Sequence, residues 1–230
     1  VFQEDADFNL AGSTDVTRND SEYIEATTTS TAEFANDSNT LLLLHLDGAD
    51  GATSTTDSSD SAHGVTFNGT AQLDTAIKKL GTASLLLDGD SDLLDITGTT
   101  SDFNHGTSDF TYEAWVYPTS FASTAKTVVM QGTHDAAGEI LGRYNTSAQI
   151  NIETRNDSNT HATITGSTTT SADAWHHLAL TKQTADNLLR VYIDGVQDGT
   201  VATSGSYGAS TELHIGNLTG YTMYFTGNKD

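Results

Sequence analysis

Apolar residues in this chain fall in short runs, alternating with polar ones or clustered over a few positions, and the runs are punctuated by Gly, Asn and Asp. Period-two alternation sends successive side chains to opposite faces of a pleated strand, and helix-period spacing is scarce. The runs predict strands over Leu41–Leu46, Gly64–Phe67, Ser84–Leu87, Phe110–Tyr117, Thr127–Met130, Ala148–Glu153, Trp175–Thr181, Leu188–Ile193 and Glu212–Ile215. Directly after Leu188–Ile193, Asp194-Gly195 supplies the two positive φ angles of a type I′ turn and predicts a hairpin. Asn68-Gly69 and Asp88-Gly89 are further turn signals. The fold class that follows is all-β.

Residues 1–40 differ in texture, being dominated by Ser, Thr, Asn and Asp, and are expected to form an extended N-terminal arm. Within a candidate strand over residues 1–11, Phe2, Ala6, Phe8 and Leu10 share one face. Gly12–Asp20 has linker composition. Residues 41–230 then make one β-domain, a size that a single core can serve.

Charge narrows the choice of partners. Asp and Glu total 31 against 9 Lys and Arg, a formal net charge of −22, so nucleic-acid phosphates and anionic lipid surfaces are repelled. No apolar run approaches the roughly 18–20 residues that span a bilayer, so membrane insertion is not expected either. Cysteine is absent, which removes disulfides and thiolate metal sites. The chain opens on Val with no signal-peptide pattern, from which the removal or omission of an upstream segment is expected.

Six segments occur in an order that resembles the laminin-G-like jelly roll of the concanavalin-A-like lectin and glucanase group. They are Leu41-Leu-Leu-Leu-His-Leu-Asp-Gly48, Asp57-Ser-Ser-Asp60, Leu85-Leu-Leu-Asp-Gly89, Asp109-Phe-Thr-Tyr-Glu-Ala-Trp-Val-Tyr-Pro118, Trp175-His-His-Leu-Ala-Leu180 and Val191-Tyr-Ile-Asp-Gly-Val196. The resemblance implies a two-sheet antiparallel jelly-roll sandwich, in agreement with the strand pattern. It also implies an extracellular setting on a cell surface or phage particle. It does not select an activity, because the group includes lectins, adhesion modules, appendage domains and glycosidases. Such domains usually close with a Gly-x-Ile-Asp strand running on through apolar residues. Phe225-Thr-Gly-Asn-Lys-Asp230 lacks that pattern, so the closing strand is expected to be missing and a groove left open.

Candidate chemistry is sparse. The Glu-x-Asp-x-x-Glu run of related glycosidases is absent, as are nucleophile-elbow, zinc-helix and phosphate-loop patterns, so no catalytic residues are assigned and an enzyme is not expected. Asp47, Asp50, Asp57 and Asp60 form an acidic loop. The resemblance suggests a structural Ca²⁺ there, with Asp230 as a further ligand and loop carbonyls completing the shell. Asp88, Asp90 and Asp92 form a second acidic cluster. Asn19, Asn36, Asn68, Asn145, Asn156 and Asn217 each open an Asn-x-Ser/Thr glycosylation pattern. Trp115, Trp175, His176 and His177 are expected to serve strand packing, the two Trp as core aromatics.

Two functional expectations follow. A spare alternating strand at 1–11 and an open groove at the other end together predict head-to-tail strand donation, hence a homo-oligomeric filament or surface appendage. The alternative is a carbohydrate-binding or adhesive module with glycan partners, using loop aromatics such as Tyr144, Tyr207 and Tyr221.

Overall fold

A computed structural model describes residues 36–97, 100–208, 212–217 and 221–230. Residues 1–35, with Phe2, Ala6, Phe8, Leu10 and Asn19 of the expected arm, lie outside the described residues. Fourteen strands follow one another: β1 (Gly64–Asn68), β2 (Gln72–Asp74), β3 (Ser84–Asp88), β4 (Leu93–Thr97), β5 (Phe110–Pro118), β6 (Lys126–Gln131), β7 (Ile140–Tyr144), β8 (Ile150–Arg155), β9 (His161–Thr165), β10 (His176–Gln183), β11 (Leu188–Ile193), β12 (Val196–Ala202), β13 (Leu213–Ile215) and β14 (Thr226–Lys229). The described residues contain one 3₁₀ turn, Thr100–Phe103, and no α-helix.

The strands form two seven-stranded antiparallel sheets. The first has the order β1-β4-β13-β6-β7-β8-β9, and the second β12-β11-β10-β5-β14-β3-β2. Their inner faces meet in one main core that includes Leu85, Leu87, Val116, Ile152, Leu178 and Val191. Full burial of each such aliphatic side chain contributes roughly 1.5–3 kcal/mol. The all-β class predicted by the alternation and the two-sheet sandwich implied by the resemblance are therefore both present. So is the hairpin between β11 and β12, where Asp194 and Gly195 take φ of 51° and 78° and Ile193 pairs with Val196.

The chain departs from the predicted strands at three places. Leu41–Leu46 is no strand: its only bridge joins Leu44 to Asp57. Its polar groups are met irregularly, with the Leu43 N–H donating to Asp57 Oδ1 and the Leu43 carbonyl accepting from the Ser58 N–H. Leu42, Leu44 and Leu46 still pack against the core, which is why the segment alternates like a strand. β2, β4, β7 and β9 have no counterpart in the predicted set; Gln72–Asp74 is too short and His161–Thr165 too polar to stand out.

The third departure concerns the closing strand. Residues Thr226–Lys229 form β14, which pairs with β3 on one side and β5 on the other and so lies inside the second sheet. No groove is left open between β3 and β5, and the expected recipient site for a donated strand is filled by the chain itself. Polar composition hid this strand. Asn228 is buried, but its Nδ2 donates to Asp74 Oδ2 and Ser84 Oγ, each at 3.0 Å. Lys229 is buried on the opposite face, where Nζ donates to the Val128 carbonyl at 2.7 Å and sits 4.3 Å from the Phe225 ring centre. Burial holds its pKa well below the usual lysine range. Gly227 is required where it stands: its φ is +131°, and a Cβ there would lie 2.0 Å from the Tyr117 carbonyl oxygen.

Candidate functional site

Pleating decides which side chains of β5 reach the surface. Val116 and Pro118 turn inward and are buried, so Glu113, Trp115 and Tyr117 face outward from the second sheet. β10 sets His177 opposite Trp115 and Ala179 opposite Glu113, and β11 adds Tyr192 opposite Ala179. Trp175, just before β10, meets Tyr117 edge-on with ring centres 5.5 Å apart. Trp115 packs on His177 at 5.1 Å, and Lys79 Nζ lies 4.1 Å above the indole. The result is a half-buried aromatic cluster on β5 and the start of β10, with Tyr192 on the same face of β11. Trp115 and Trp175 therefore belong to an outer face rather than to the core expected for them. The signal was present in the sequence, since the inward phase of Val116 fixes the outward phase of Trp115 and Tyr117.

Polar groups border the cluster and hold it. His176 Nδ1 lies 2.9 Å from Asp194 Oδ2, while Ser171 Oγ lies 3.0 Å from its Nε2. The Asp194 carboxylate also accepts the His177 N–H at 2.8 Å. Although partial burial opposes it, hydrogen bonding from His176 and the His177 N–H leaves the Asp194 pKa below the usual carboxylate range. His177 Nε2 is 3.5 Å from Glu113 Oε2, whose side chain is largely exposed. Aromatic rings beside carboxylates and imidazoles can stack on an apolar ring face and accept hydroxyl hydrogens from the same ligand.

The outer face of the first sheet carries different groups. Arg143 on β7 pairs with Glu153 on β8, and its Nε donates to Asn151 Oδ1 at 3.1 Å. Arg155 pairs with Asp135, and its Nε lies 3.2 Å from Glu139 Oε2, an ion-pair contact without hydrogen-bond alignment. Glu139 is fully buried, with Oε1 2.6 Å from His134 Nδ1 and Oε2 accepting the Asp135 N–H at 3.1 Å. One ligand atom from each of His134, Glu139 and Glu153 lies within 4.8 Å of the others, the one such group among the described residues. The exposed Tyr221 ring stands edge-on to His134 at 5.1 Å.

Between the sheets runs a buried polar chain. His105 Nε2 lies 2.6 Å from Tyr112 Oη, which donates to Gln131 Oε1, and Gln131 Nε2 donates to the Phe103 carbonyl at 3.0 Å. Burial lowers the His105 pKa to about 4 and raises that of Tyr112.

The sequence-predicted site residues are dispersed. Asp57 is buried and saturated by the N–H groups of Leu43, Ser59 and His63 together with the Ser59 hydroxyl and the His63 ring. Asp47 accepts from Thr82, Asp50 from Thr75, Asp60 from Asn36, and Asp230 from the Lys79 and Leu80 N–H groups. Asp47 and Asp230 thus both hold the 79–82 segment, while Asp50, Asp57 and Asp60 bond to other segments. In the second acidic cluster, Asp92 is buried and accepts the N–H groups of Thr70 and Asp88.

Tyr144 and Tyr207 are corrected from loop aromatics to core residues, both with 0% exposure, and a ring without solvent access cannot receive a ligand. Tyr221 is exposed, but over the charged face. Of the glycosylation candidates, Asn156 and Asn217 are buried, and Asn156 caps its own turn by accepting the Ser158 and Thr160 N–H groups. A buried amide is closed to a transferase. Asn145 likewise accepts the Ser147 and Gln149 N–H groups, Asn68 donates to Asp95, and Asn36 is exposed.

Among curated proteins nothing matches the chain. Solved structures with a similar fold include the receptor-binding domain of botulinum neurotoxin type G, at 12% identity and a TM-score of 0.59, covering 84% of this chain and 47% of that one. The binding domain of botulinum neurotoxin DC in complex with SialylT aligns at 14% identity and 0.57, covering 82% and 44%. The serotype D binding domain aligns at 11% and 0.56, covering 76% and 45%. At these identities the likeness is one of fold, and this chain spans less than half the length of each. A laminin G family profile, described as the concanavalin A-like lectin/glucanases superfamily, matches residues 88–230, well over half the chain. With its paired antiparallel sheets and that match, the chain belongs to the concanavalin A-like lectin/glucanase superfamily.

Proposed function

We propose that this chain is a carbohydrate-binding or adhesive module acting outside the cell, on a cell or particle surface, and that it engages glycan through the aromatic cluster of the second sheet. The observation that carries this reading is the outward row of Trp115, Tyr117, Trp175 and Tyr192 on the second sheet. Aromatic faces stack on the C–H faces of sugars, and the bordering Glu113, Asp194 and His177 can exchange hydrogen bonds with ring hydroxyls. The fold likeness to the binding domain crystallised with SialylT is consistent with such a role. The charge of −22 and the carboxylates beside the cluster favour neutral over anionic sugars.

The test is a glycan array followed by calorimetry on the purified chain. Binding to neutral glycans is expected, with Trp175→Ala and Tyr192→Ala each weakening it by at least about tenfold, or about 1.4 kcal/mol. Failure to bind any glycan, or binding that both substitutions leave intact, would overturn the proposal. Loss on Tyr221→Ala instead would move the site to the other sheet.

A further inference from the structure

We infer that His134, Glu139 and Glu153 form a binding site for a divalent transition-metal ion such as Zn²⁺. Nothing in the glycan reading requires this site, which lies on the opposite sheet, so the two stand or fall separately. Three observations converge on it. The donor atoms approach one another within 4.8 Å and come from two segments: His134 and Glu139 from the β6–β7 connection, and Glu153 from β8. Strand register fixes two of them, since Leu141 pairs with Glu153 and Ile140 with Thr154. Glu139 is fully buried, so its carboxylate is held in place rather than free to wander in solvent.

The donor set selects the ion. An imidazole nitrogen with two carboxylate oxygens suits Zn²⁺ and its neighbours, whereas Ca²⁺ and Mg²⁺ prefer all-oxygen shells. Two guanidiniums now neutralise this cluster and must be displaced, and each has somewhere to go. Arg143 retains Asn151 Oδ1 and a contact with Met223 Sδ at 3.5 Å when it releases Glu153. Arg155 retains Asp135 when it yields Glu139.

The arrangement makes a signed prediction that a purely structural ion-pair cluster would not. Removing Arg143 takes away the ion's competitor for Glu153, so Arg143→Gln should tighten metal binding by several-fold. His134→Ala and Glu153→Gln should each weaken it by at least about tenfold. The measurement is calorimetric titration of the chelator-stripped chain with Zn²⁺, expected to show about one site per chain. His176→Ala and His214→Ala serve as controls for adventitious histidine sites, and circular dichroism confirms that each variant is folded. Absence of binding, binding that survives both His134→Ala and Glu153→Gln, or equal loss in the control variants would overturn the inference. Weaker binding in Arg143→Gln would do so too.

Discussion

On and beside β7 and β8 the outer face carries charged pairs, Arg143 with Glu153 and Arg155 with Glu139, whereas outward positions on β5, β10 and β11 carry Trp115, Tyr117, His177 and Tyr192. The same pleat thus builds two faces of opposite character. Charges that satisfy one another across strands offer little to a neutral ligand, although a metal cation can compete for their carboxylates. Of the aromatic rings, Tyr117 and Trp175 meet at an edge rather than face to face, while Lys79 lies over Trp115. The difference teaches that exposure alone does not mark a binding surface. What matters is whether the outward groups have already found partners.

The largest test of this contrast is Glu139→Gln. It removes a buried carboxylate that His134, Arg155 and the Asp135 N–H all contact, and should cost about 2–4 kcal/mol in denaturant unfolding. Glycan binding on the opposite face should persist wherever the variant is folded. A variant of unchanged stability would show that the charged face is not held by this carboxylate.

An interior test comes next, because the His105–Tyr112–Gln131 chain joins β5 of the second sheet to β6 of the first. The His105 pKa is lowered to about 4 in the folded chain, from 6.5, mainly by burial. Below 6.5 the unfolded chain takes up a proton that the folded chain refuses. The His105 contribution to stability is therefore complete above 6.5, falls as pH drops from 6.5 towards 4, and levels off below that. The loss should be about 2–3 kcal/mol, and His105→Gln should flatten the profile across that window. An unchanged slope in the variant would assign the acid sensitivity to the surface carboxylate pairs instead.

The smallest effect is expected at the Asp186–Arg190 pair, which is solvent-exposed at the start of the β11 hairpin. The Arg190 hydrogen bond lowers the Asp186 pKa, yet water and salt screen the pair, and Asp186→Asn should leave the melting temperature within error. A clear drop would mean that surface pairs here matter as much as the Glu139 cluster.

Much of this could be read along the chain. The apolar runs located β1, β3, β5, β6, β8, β10, β11 and β13, and Asp194-Gly195 gave its turn type, because these signals are local. β14 escaped because its buried Asn228 and Lys229 are satisfied by Asp74, Ser84 and Val128, partners that lie far away in sequence. Leu41–Leu46 misled for the converse reason: its leucines pack like a strand while its backbone bonds to side chains and a turn. At the sites, the phase of Val116 implied an outward Trp115, but composition drew attention to Tyr144 and Tyr207, which the core absorbs. The meeting of His134, Glu139 and Glu153 depends on the pairing of β7 with β8, a register that no local pattern states.

The place of β14 between β3 and β5 also has a consequence during synthesis. The ribosome delivers residues 84–88 and 110–118 long before residues 226–229, so the two earlier strands must wait with facing edges unpaired. Such high contact order slows folding and prolongs the exposure of strand edges to neighbouring nascent chains. A message cut short before codon 226 would release a chain whose second sheet is divided down its middle, and that product should be prone to aggregation and proteolysis rather than partly active.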